Sequence, residues 1–214
     1  MRREVRGLSQ TMSVSHPVLE GRFVRLEPLA SIHREALRAA CAVDAEIWTA
    51  LYPISMAGEH FDVWWERILR ETTEGRLLAY LGVAGGEVVG CSLFFLDPPN
   101  RRVEIGNTYW RPEARGGGVN PEAKMLMLAH AFAPKGLYEA GALVVQFKVD
   151  AINARSRAAV AKLGAHLDGI VRHDRITWTG RVRDTCIFSI LAEEWPMVRD
   201  KLEARLMALA APGA

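Results

Sequence analysis

WRPEARGGGVNPEAK, residues 110–124, places three consecutive glycines directly before a predicted helix start. Asn120 is a favoured N-cap residue, Pro121 suits the first helical position, and Glu122 falls in the first turn. Glycines beside a helix N-terminus let a ligand approach the backbone closely, and the free N–H groups there favour a phosphate or pyrophosphate. The alternative is a flexible turn between a strand and a helix, and the stretch alone leaves both interpretations open.

The loop lacks the marks of the two best-known glycine-rich phosphate sites. No Lys-Ser or Lys-Thr pair follows the glycines, as a P-loop requires, and the G-x-G-x-x-G spacing of dinucleotide folds is absent. The strands predicted around the loop also do not alternate with helices as they would in a doubly wound sheet. The stretch therefore indicates another kind of fold.

Hydrophobic periodicity on both sides of the loop predicts a single α+β domain. Before the loop, an amphipathic helix over 60–74 precedes three strands, of which the first two form a hairpin about Gly85–Gly86. After it come a helix over 121–132, a strand, an Ala-rich helix, two strands and a final helix. This order predicts an α+β (α/β) fold with one mixed sheet flanked by α-helices. The domain is expected over residues 19–209, after a loose N-terminal extension, residues 1–18.

The composition argues against several functional classes. With 27 basic and 25 acidic side chains the formal net charge is +2, too small to indicate a nucleic-acid or membrane-surface partner. Cys41, Cys91 and Cys186 are widely spaced and form no C-x-x-C pair, so neither a disulfide framework nor a zinc site is expected. No window approaches the roughly 18 apolar residues of a spanning helix. We therefore expect a cytoplasmic protein with no metal and no membrane or nucleic-acid partner.

The order of these motifs resembles the GNAT superfamily of acyltransferases, and more closely its RimJ/RimL group of ribosomal-protein N-terminal acetyltransferases. The resemblance extends from about residue 19 to residue 206. Besides the loop, it is carried by EIWTALYP at 46–53, VEIGNTYW at 103–110, VQFKVDAINARSRAAVAKLGA at 145–165 and EEWPMVRDKLEARL at 193–206. It implies a mostly antiparallel sheet, acetyl-CoA as co-substrate, and a primary amine that attacks the thioester directly through a tetrahedral intermediate.

In that superfamily an R/Q-x-x-G-x-G/A loop binds the pyrophosphate of coenzyme A. The resemblance implies this role for Arg115, Gly116, Gly117, Gly118, Val119 and Asn120. Arg115, Gly118 and Asn120 occupy the three marked positions of the pattern. Asn120 departs from the pattern, because its side chain stands where relatives have glycine or alanine.

Glu104 and two backbone positions are implied for the chemistry. Glu104 matches the acidic position of the group's EIG motif and is the candidate general base; the alternative is an exposed strand residue paired with Arg102 or a neighbouring arginine. A modest base suffices for an α-amino group, because its pKa near 8 makes deprotonation at neutral pH cost only about 1 kcal/mol. Backbone N–H groups near Asn107 and Thr108 would form the oxyanion site that polarises the thioester carbonyl.

Asn153 and Ser156 form an N-x-x-S element at the head of the Ala-rich helix. In the superfamily the asparagine contacts the pantetheine arm of the cofactor, and a helix N-cap would use the same residue type. Many relatives carry a tyrosine seven positions later as the acid for the thiolate, but Val160 stands there. By analogy with the RimJ/RimL group, Ser156 is the candidate acid, and helix capping is again the alternative.

The acceptor is left open between several classes. Trp48 and Tyr52 lie in the segment that walls the acceptor slot in relatives, although core positions are the alternative for both. The leading hypothesis is an enzyme that acetylates the α-amino end of a protein, such as a ribosomal protein. The alternatives are a small amine (a polyamine, an amino acid or an aminoglycoside), or a non-catalytic acyl-CoA-binding module. A homodimer is also considered, because an apolar stripe from Val198 to Leu209 on the last helix suits either an interface or a core.

Overall fold

The structure is a computed structural model that describes residues 15–211. Within these residues the chain forms eight strands and six α-helices. The strands are β1 (Leu19–Glu20), β2 (Arg25–Pro28), β3 (Leu77–Ala84), β4 (Glu87–Asp97), β5 (Arg102–Trp110), β6 (Val144–Asp150), β7 (His166–Ile176) and β8 (Val182–Leu191). The helices are α1 (Arg34–Ala42), α2 (Ala45–Leu51), α3 (His60–Thr73), α4 (Val119–Phe132), α5 (Ala154–Leu163) and α6 (Trp195–Leu209).

The strands form one sheet in the order β1-β2-β3-β4-β5-β6-β8-β7. The neighbours are antiparallel except for β5 and β6, which are parallel, so the predicted mixed and mostly antiparallel sheet is confirmed. The parallel pairing covers only three residues of each strand, ending at Glu104 and Gln146. Both strands continue past that point without pairing to each other. A cleft therefore opens in the middle of the sheet.

The core lies on both faces of the sheet. Along β3, Leu77, Ala79 and Leu81 belong to one cluster of buried residues, whereas Leu78 and Tyr80 belong to the other. Because successive strand residues point to opposite faces, the two clusters lie on opposite sides of the sheet. Helices α1 to α3 supply the helical residues of the first cluster, and α4 to α6 supply those of the second. The sheet is thus flanked by helices on both sides, as predicted.

The apolar stripe of α6 packs inside this chain. Val198, Leu202 and Leu206 are all buried, and Val198 and Leu202 belong to the core cluster that contains α4 and α5. Core packing was one of the two interpretations that the sequence left open for this stripe. The stripe therefore gives no support to the expected homodimer.

The start of α4 differs from the sequence prediction. The helix begins at Val119, and its N-cap is Gly118 rather than Asn120. Asn120 lies inside the first turn, where its Oδ1 accepts a hydrogen bond from the indole Nε1 of Trp110 at 2.9 Å. Because the indole takes up the acceptor that would otherwise cap the helix, the predicted N-cap is wrong. The same bond ties the first turn of α4 to the end of β5.

Glu122 joins α4 to the turn between β1 and β2. Its buried carboxylate accepts backbone N–H bonds from Arg22 at 2.9 Å, Phe23 at 2.5 Å and Val24 at 2.9 Å. Three donors on one carboxylate explain why two short strands form where the sequence predicted one. The turn presses Phe23 onto Gly118, where a Cβ atom would stand 2.4 Å from the aromatic ring.

The predicted loose N-terminal extension, residues 1–18, is described only in part. Its first fourteen residues lie outside the described part of the chain. In the remainder, the carbonyl of Ser15 accepts a bond from Nε2 of His130 at 3.0 Å. His16 packs edge-on against Tyr80, with 4.6 Å between ring centroids. These last residues before β1 therefore contact the domain.

Candidate active site

A cavity of about 390 Å³ occupies the cleft where β5 and β6 diverge. The end of α2, the glycine stretch, the start of α4 and the first turns of α5 complete its walls. Ten of the residues predicted from the sequence line it: Tyr52, Glu104, Asn107, Thr108, Arg115, Gly116, Gly117, Asn120, Asn153 and Ser156. The fold thus brings together residues that are up to about a hundred positions apart in the sequence.

Trp48, Gly118 and Val119 are not among the residues that line the cavity. Trp48 is 1% exposed, and its Nε1 donates to the carbonyl of Cys41 at 2.9 Å, so it occupies the core position that was its alternative. Gly118 packs under Phe23, and Val119 packs against the core cluster of the α4 face. The three residues support the walls of the cavity from behind.

The other two glycines present bare backbone. A Cβ built on Gly116 or Gly117 would meet no heavy atom of the described chain within 4 Å. Gly116 has a φ of +83°, a backbone conformation that residues with a side chain rarely adopt. The N-terminus of α4 follows directly, with its free N–H groups and the positive end of the helix dipole. This part of the loop can therefore hold a phosphate group closely.

The cavity is strongly basic. Seven lysine and arginine side chains line it, against two carboxylates. The basic residues are Arg115, Lys124, Lys148, Arg155, Arg175, Arg183 and Arg205, and the acidic ones are Glu104 and Asp150. Such an excess of positive charge favours an anionic ligand, so the lining and the open glycines fit the phosphates of a coenzyme.

Arg115 is held by the protein itself. Its Nε donates to the carbonyl of Trp110 at 2.6 Å, and its Nη1 pairs with Asp44 at 2.6 Å. Asp44 lies between α1 and α2, so the ion pair joins the glycine loop to the helices on the acceptor side. Nη2 of Arg115 is buried and has no hydrogen-bond partner among the described residues. That nitrogen is the one part of the guanidinium left to meet an anion.

Glu104 stands at the point where the cleft opens, and it is ion-paired. Its carboxylate lies 2.8 Å from Nζ of Lys148 on the facing strand β6. The sequence analysis considered an arginine as its partner, but Arg102 pairs with Asp97 instead. The carboxylate remains 22% exposed, so it can still meet a ligand in the cavity.

A β-bulge shapes the wall beyond Glu104. Strand β4 pairs Cys91 with Tyr109 and Leu93 with Gly106, so Asn107 and Thr108 together oppose the single residue between Cys91 and Leu93. Asn107 takes the left-handed conformation with a φ of +46°. Such bulges redirect backbone groups and often lie beside active sites. The sequence named these two residues for the oxyanion site, but it carried no sign of the bulge itself.

Tyr52 connects the acceptor side to the bulge. Its hydroxyl donates to the backbone carbonyl of Thr108 at 2.6 Å. Burial raises the pKa of Tyr52 well above its ordinary value, so the hydroxyl keeps its proton and remains a donor. The C-terminal end of α2 is thereby fixed against β5.

Lys124 is a cavity residue that the sequence analysis missed. It is 5% exposed, and its Nζ donates to Oγ of Ser92 at 2.9 Å and to Oγ1 of Thr108 at 2.5 Å. Burial lowers its pKa to about 7. The signal was present in the sequence, because Lys124 precedes the buried Met127 and Leu128 at the i+3 and i+4 spacing of one helical face.

Asn153 and Ser156 both cap α5 and line the cavity. Oδ1 of Asn153 accepts the backbone N–H of Ser156 at 2.9 Å. The side chains reach the cavity from the first turn of the helix, and Val160 follows on the same wall. The capping role and the cavity position therefore coexist.

Trp178, another residue that the sequence analysis did not single out, joins the β7–β8 hairpin to α2. Its backbone N–H donates to the carbonyl of Pro53 at 3.1 Å, and its Nε1 donates to the carbonyl of Trp48 at 2.9 Å. The hairpin also supplies Arg175 and Arg183 to the cavity lining. The acceptor side of the cleft is therefore bordered by two elements that are bound to each other.

Two expected absences concern only residues 15–211. No group of three or more His, Cys, Asp or Glu side chains in that range has the arrangement of a metal site. None of the helices in that range has the length and apolar composition that crossing a bilayer requires.

Comparison with known proteins gives a consistent result. Residues 24–166, well over half of the chain, match the family model described as an acetyltransferase (GNAT) domain. No curated protein matches the chain by sequence. Many solved structures do match it.

Three of the matching structures illustrate the range of similarity. A T. thermophilus protein classed as an acetyltransferase has 35% identity and a TM-score of 0.76, covering 88% of this chain and 96% of that one. A GCN5-related N-acetyltransferase from Brucella melitensis has 29% identity and a TM-score of 0.80, covering 92% and 87%. RimL, a ribosomal L7/L12 alpha-N-protein acetyltransferase in complex with coenzyme A, has 16% identity and a TM-score of 0.69, covering 83% and 99%. At that identity the last match shows a shared fold.

Proposed function

The chain belongs to the GNAT acetyltransferase family, and from that premise we propose that its acceptor is the α-amino group of a protein N-terminus. As a family member it is an acetyl-CoA-dependent N-acetyltransferase. The observation that carries the proposal is the charge of the cavity, where basic side chains outnumber two carboxylates that are both ion-paired. The fold shared with RimL, which acts on a protein α-amino group, is consistent with it.

The charge argument separates the acceptor classes. A polyamine or an aminoglycoside carries several positive charges and would meet like charges from seven lysines and arginines. A protein N-terminus brings one amine, whose pKa near 8 is about 2.4 units below that of a lysine side chain. Glu104 is held by Lys148 at 2.8 Å, so it is a weak base that suits the more acidic amine.

The cofactor would lie along the cleft between the glycine loop and α5. Gly116, Gly117 and the first N–H groups of α4 would hold the pyrophosphate, with Nη2 of Arg115 beside them. Asn153 at the head of α5 would contact the pantetheine arm. Bound there, acetyl-CoA supplies an acetyl group already activated as a thioester.

The residues around the bulge would carry the transfer. The amine nitrogen forms a bond to the thioester carbonyl carbon while the backbone N–H groups of Asn107 and Thr108 stabilise the charge on the carbonyl oxygen. Glu104 takes a proton from the attacking amine, directly or through water. The carbon–sulfur bond then breaks, and Ser156 supplies a proton to the leaving thiolate.

The acceptor is tested by measuring thiol release from acetyl-CoA with three sets of amines. These are peptides with a free N-terminus, the same peptides with a blocked N-terminus and an internal lysine, and small amines such as polyamines and free amino acids. We expect release only with the free N-termini. Release with the blocked peptides or the small amines alone would contradict the proposed acceptor, and binding without release would indicate a non-catalytic module.

The base is tested with a matched pair of variants. Glu104→Gln removes the carboxylate, whereas Lys148→Met breaks the same ion pair and leaves the carboxylate in place. If Glu104 is the base, kcat should fall on the order of 100-fold in Glu104→Gln only, since general bases contribute about that much. Equal losses in the two variants would mean that the ion pair supports the cleft and that the base lies elsewhere.

A further inference from the structure

Lys124 reaches from the second turn of α4 to the bulge of β5. Its Nζ lies 2.5 Å from Oγ1 of Thr108, one of the two bulged residues, and 2.9 Å from Oγ of Ser92, the residue that faces the bulge across the sheet. The two hydroxyls also bond to each other at 2.7 Å. The amine therefore binds both sides of the irregular point in the β4–β5 ladder.

This position is costly for an ammonium group. Lys124 is 5% exposed, and no carboxylate of the described residues lies within ion-pair distance of it. Burying a charge that only two neutral hydroxyls solvate is unfavourable, and an apolar side chain of similar length would avoid the cost. A charge kept at such a cost inside a catalytic cavity indicates a functional role.

The surrounding titratable groups leave Lys124 as the group whose charge changes near neutral pH. Cys91 faces it from β4, and burial raises the pKa of that thiol to about 12. Burial also raises the pKa of Tyr109 on β5 to about 12, and it raises the pKa of Tyr52 on α2 further. Arg115, from the glycine loop, is paired with an aspartate. The pKa of Lys124, lowered by burial to about 7, is the one of these that lies near the working range.

We propose that Lys124 is a positioning residue for acetyl transfer, which holds Thr108 in the bulge and places a positive charge behind the N–H groups that polarise the thioester carbonyl. The inference rests on the proposed function. When the amine attacks, negative charge develops on the carbonyl oxygen, and a cation in a water-poor site stabilises that charge more strongly than it stabilises the neutral thioester. The proton stays on Lys124 throughout, so the charged lysine is the active form.

The test is the pH dependence of the ratio between wild-type and Lys124→Met rates, measured as kcat/KM for thiol release with one peptide from about pH 6 to about pH 9. Deprotonation of the acceptor amine affects both proteins equally and cancels in the ratio. We expect the ratio to be largest at low pH and to fall as the pH rises through about 7, by up to tenfold per unit. Acetyl-CoA affinity should change less than about threefold, because the lysine acts mainly in the transition state.

Two other results would overturn the proposal. A ratio that rises with pH would make the neutral amine the active form, as expected for a general base. A ratio that is constant across the range would mean that Lys124 contributes packing alone. Thiol release is also measured without any acceptor, so that a failure of the peptide to react is recognised as a failure of the proposed acceptor while hydrolysis still reports the ratio.

Ser92→Ala provides a second test in case the Lys124→Met variant does not fold. Removing this hydroxyl takes away one of the two acceptors of the ammonium group and leaves Lys124 in place. Since the charged form is then less well solvated, the fall in rate at high pH should move to lower pH. An unchanged position of that fall would show that it does not report Lys124.

Discussion

Replacing Lys124 with methionine should change how the stability of the protein depends on pH. In the unfolded chain the lysine has its ordinary pKa of 10.5, whereas burial lowers it to about 7 in the folded protein. Between these two values the unfolded state binds one proton more than the folded state. The free energy of unfolding of the wild type therefore rises with pH in this window, by about 1.4 kcal/mol per unit. Below it the folded lysine is charged, and the full cost of burying it is present.

Methionine has a similar length and cannot titrate, so the variant lacks this dependence. Between pH 7 and pH 9 the wild type should gain about 2 kcal/mol relative to Lys124→Met, since the folded lysine is half charged at the lower pH and neutral at the higher. At pH 7 the variant should be the more stable protein, because Ser92 and Thr108 keep their bond to each other after the amine is removed. The lysine at the bulge would then be a functional residue that costs stability.

The assay is urea unfolding followed by circular dichroism at the two pH values. Lys162→Met, an exposed lysine on α5, is the matched control and should show no such difference. If the gap between wild type and Lys124→Met were the same at both pH values, Lys124 would not titrate in this range. The charge argument for its role at the bulge would then fail, whatever the activity of the variant.

Three further substitutions test the supports of the site. Glu122→Gln should lower the free energy of unfolding by about 2 kcal/mol or more, because hydrogen bonds to a charged group are lost, while the exposed Glu66→Gln should change it by less than about 0.5 kcal/mol. Gly118→Ala should lower the melting temperature, whereas Gly117→Ala should leave it unchanged and weaken coenzyme A binding in a calorimetric titration. Trp178→Phe should raise KM for the acceptor peptide and leave the acetyl-CoA affinity unchanged, because it removes a bond between the hairpin and α2.

Each of these has a clear contrary result. Equal stability of the two glutamine variants would mean that the β1–β2 turn does not depend on the carboxylate. A stable Gly118→Ala variant would show that Phe23 moves aside easily, and unchanged binding in Gly117→Ala would argue against a phosphate on that part of the loop. An unchanged acceptor KM in Trp178→Phe would place the acceptor away from the hairpin.

The fold was predictable from the sequence because its strongest signals are local. The apolar face of α3, the Gly85–Gly86 hairpin and the glycine stretch before α4 each follow from residues that are neighbours along the chain. The family resemblance then ordered these elements into one mixed sheet. The structure confirms that sheet, including its single parallel pair, β5 with β6.

The parts of the site that the sequence could not give depend on contacts between distant residues. Asn120 has the side chain of an N-cap, and only the approach of the Trp110 indole makes it serve another purpose. The partner of Glu104 lies on a strand more than forty residues away, so sequence proximity pointed to the wrong cation. The bulge at Asn107 depends on how two strands pair, which local patterns do not specify.

The three glycines of the opening stretch illustrate how one sequence pattern can combine unrelated requirements. Gly116 and Gly117 leave the backbone open toward the cavity, whereas Gly118 is needed on the opposite side, where Phe23 packs against it. The turn that carries Phe23 is held by Glu122, and Lys124 on the same helix binds the bulge. A displacement of the first two turns of α4 would therefore disturb the phosphate end and the reacting end of the cleft together. This coupling explains why the segment must be rigid, and why glycines are confined to the residues just before the helix.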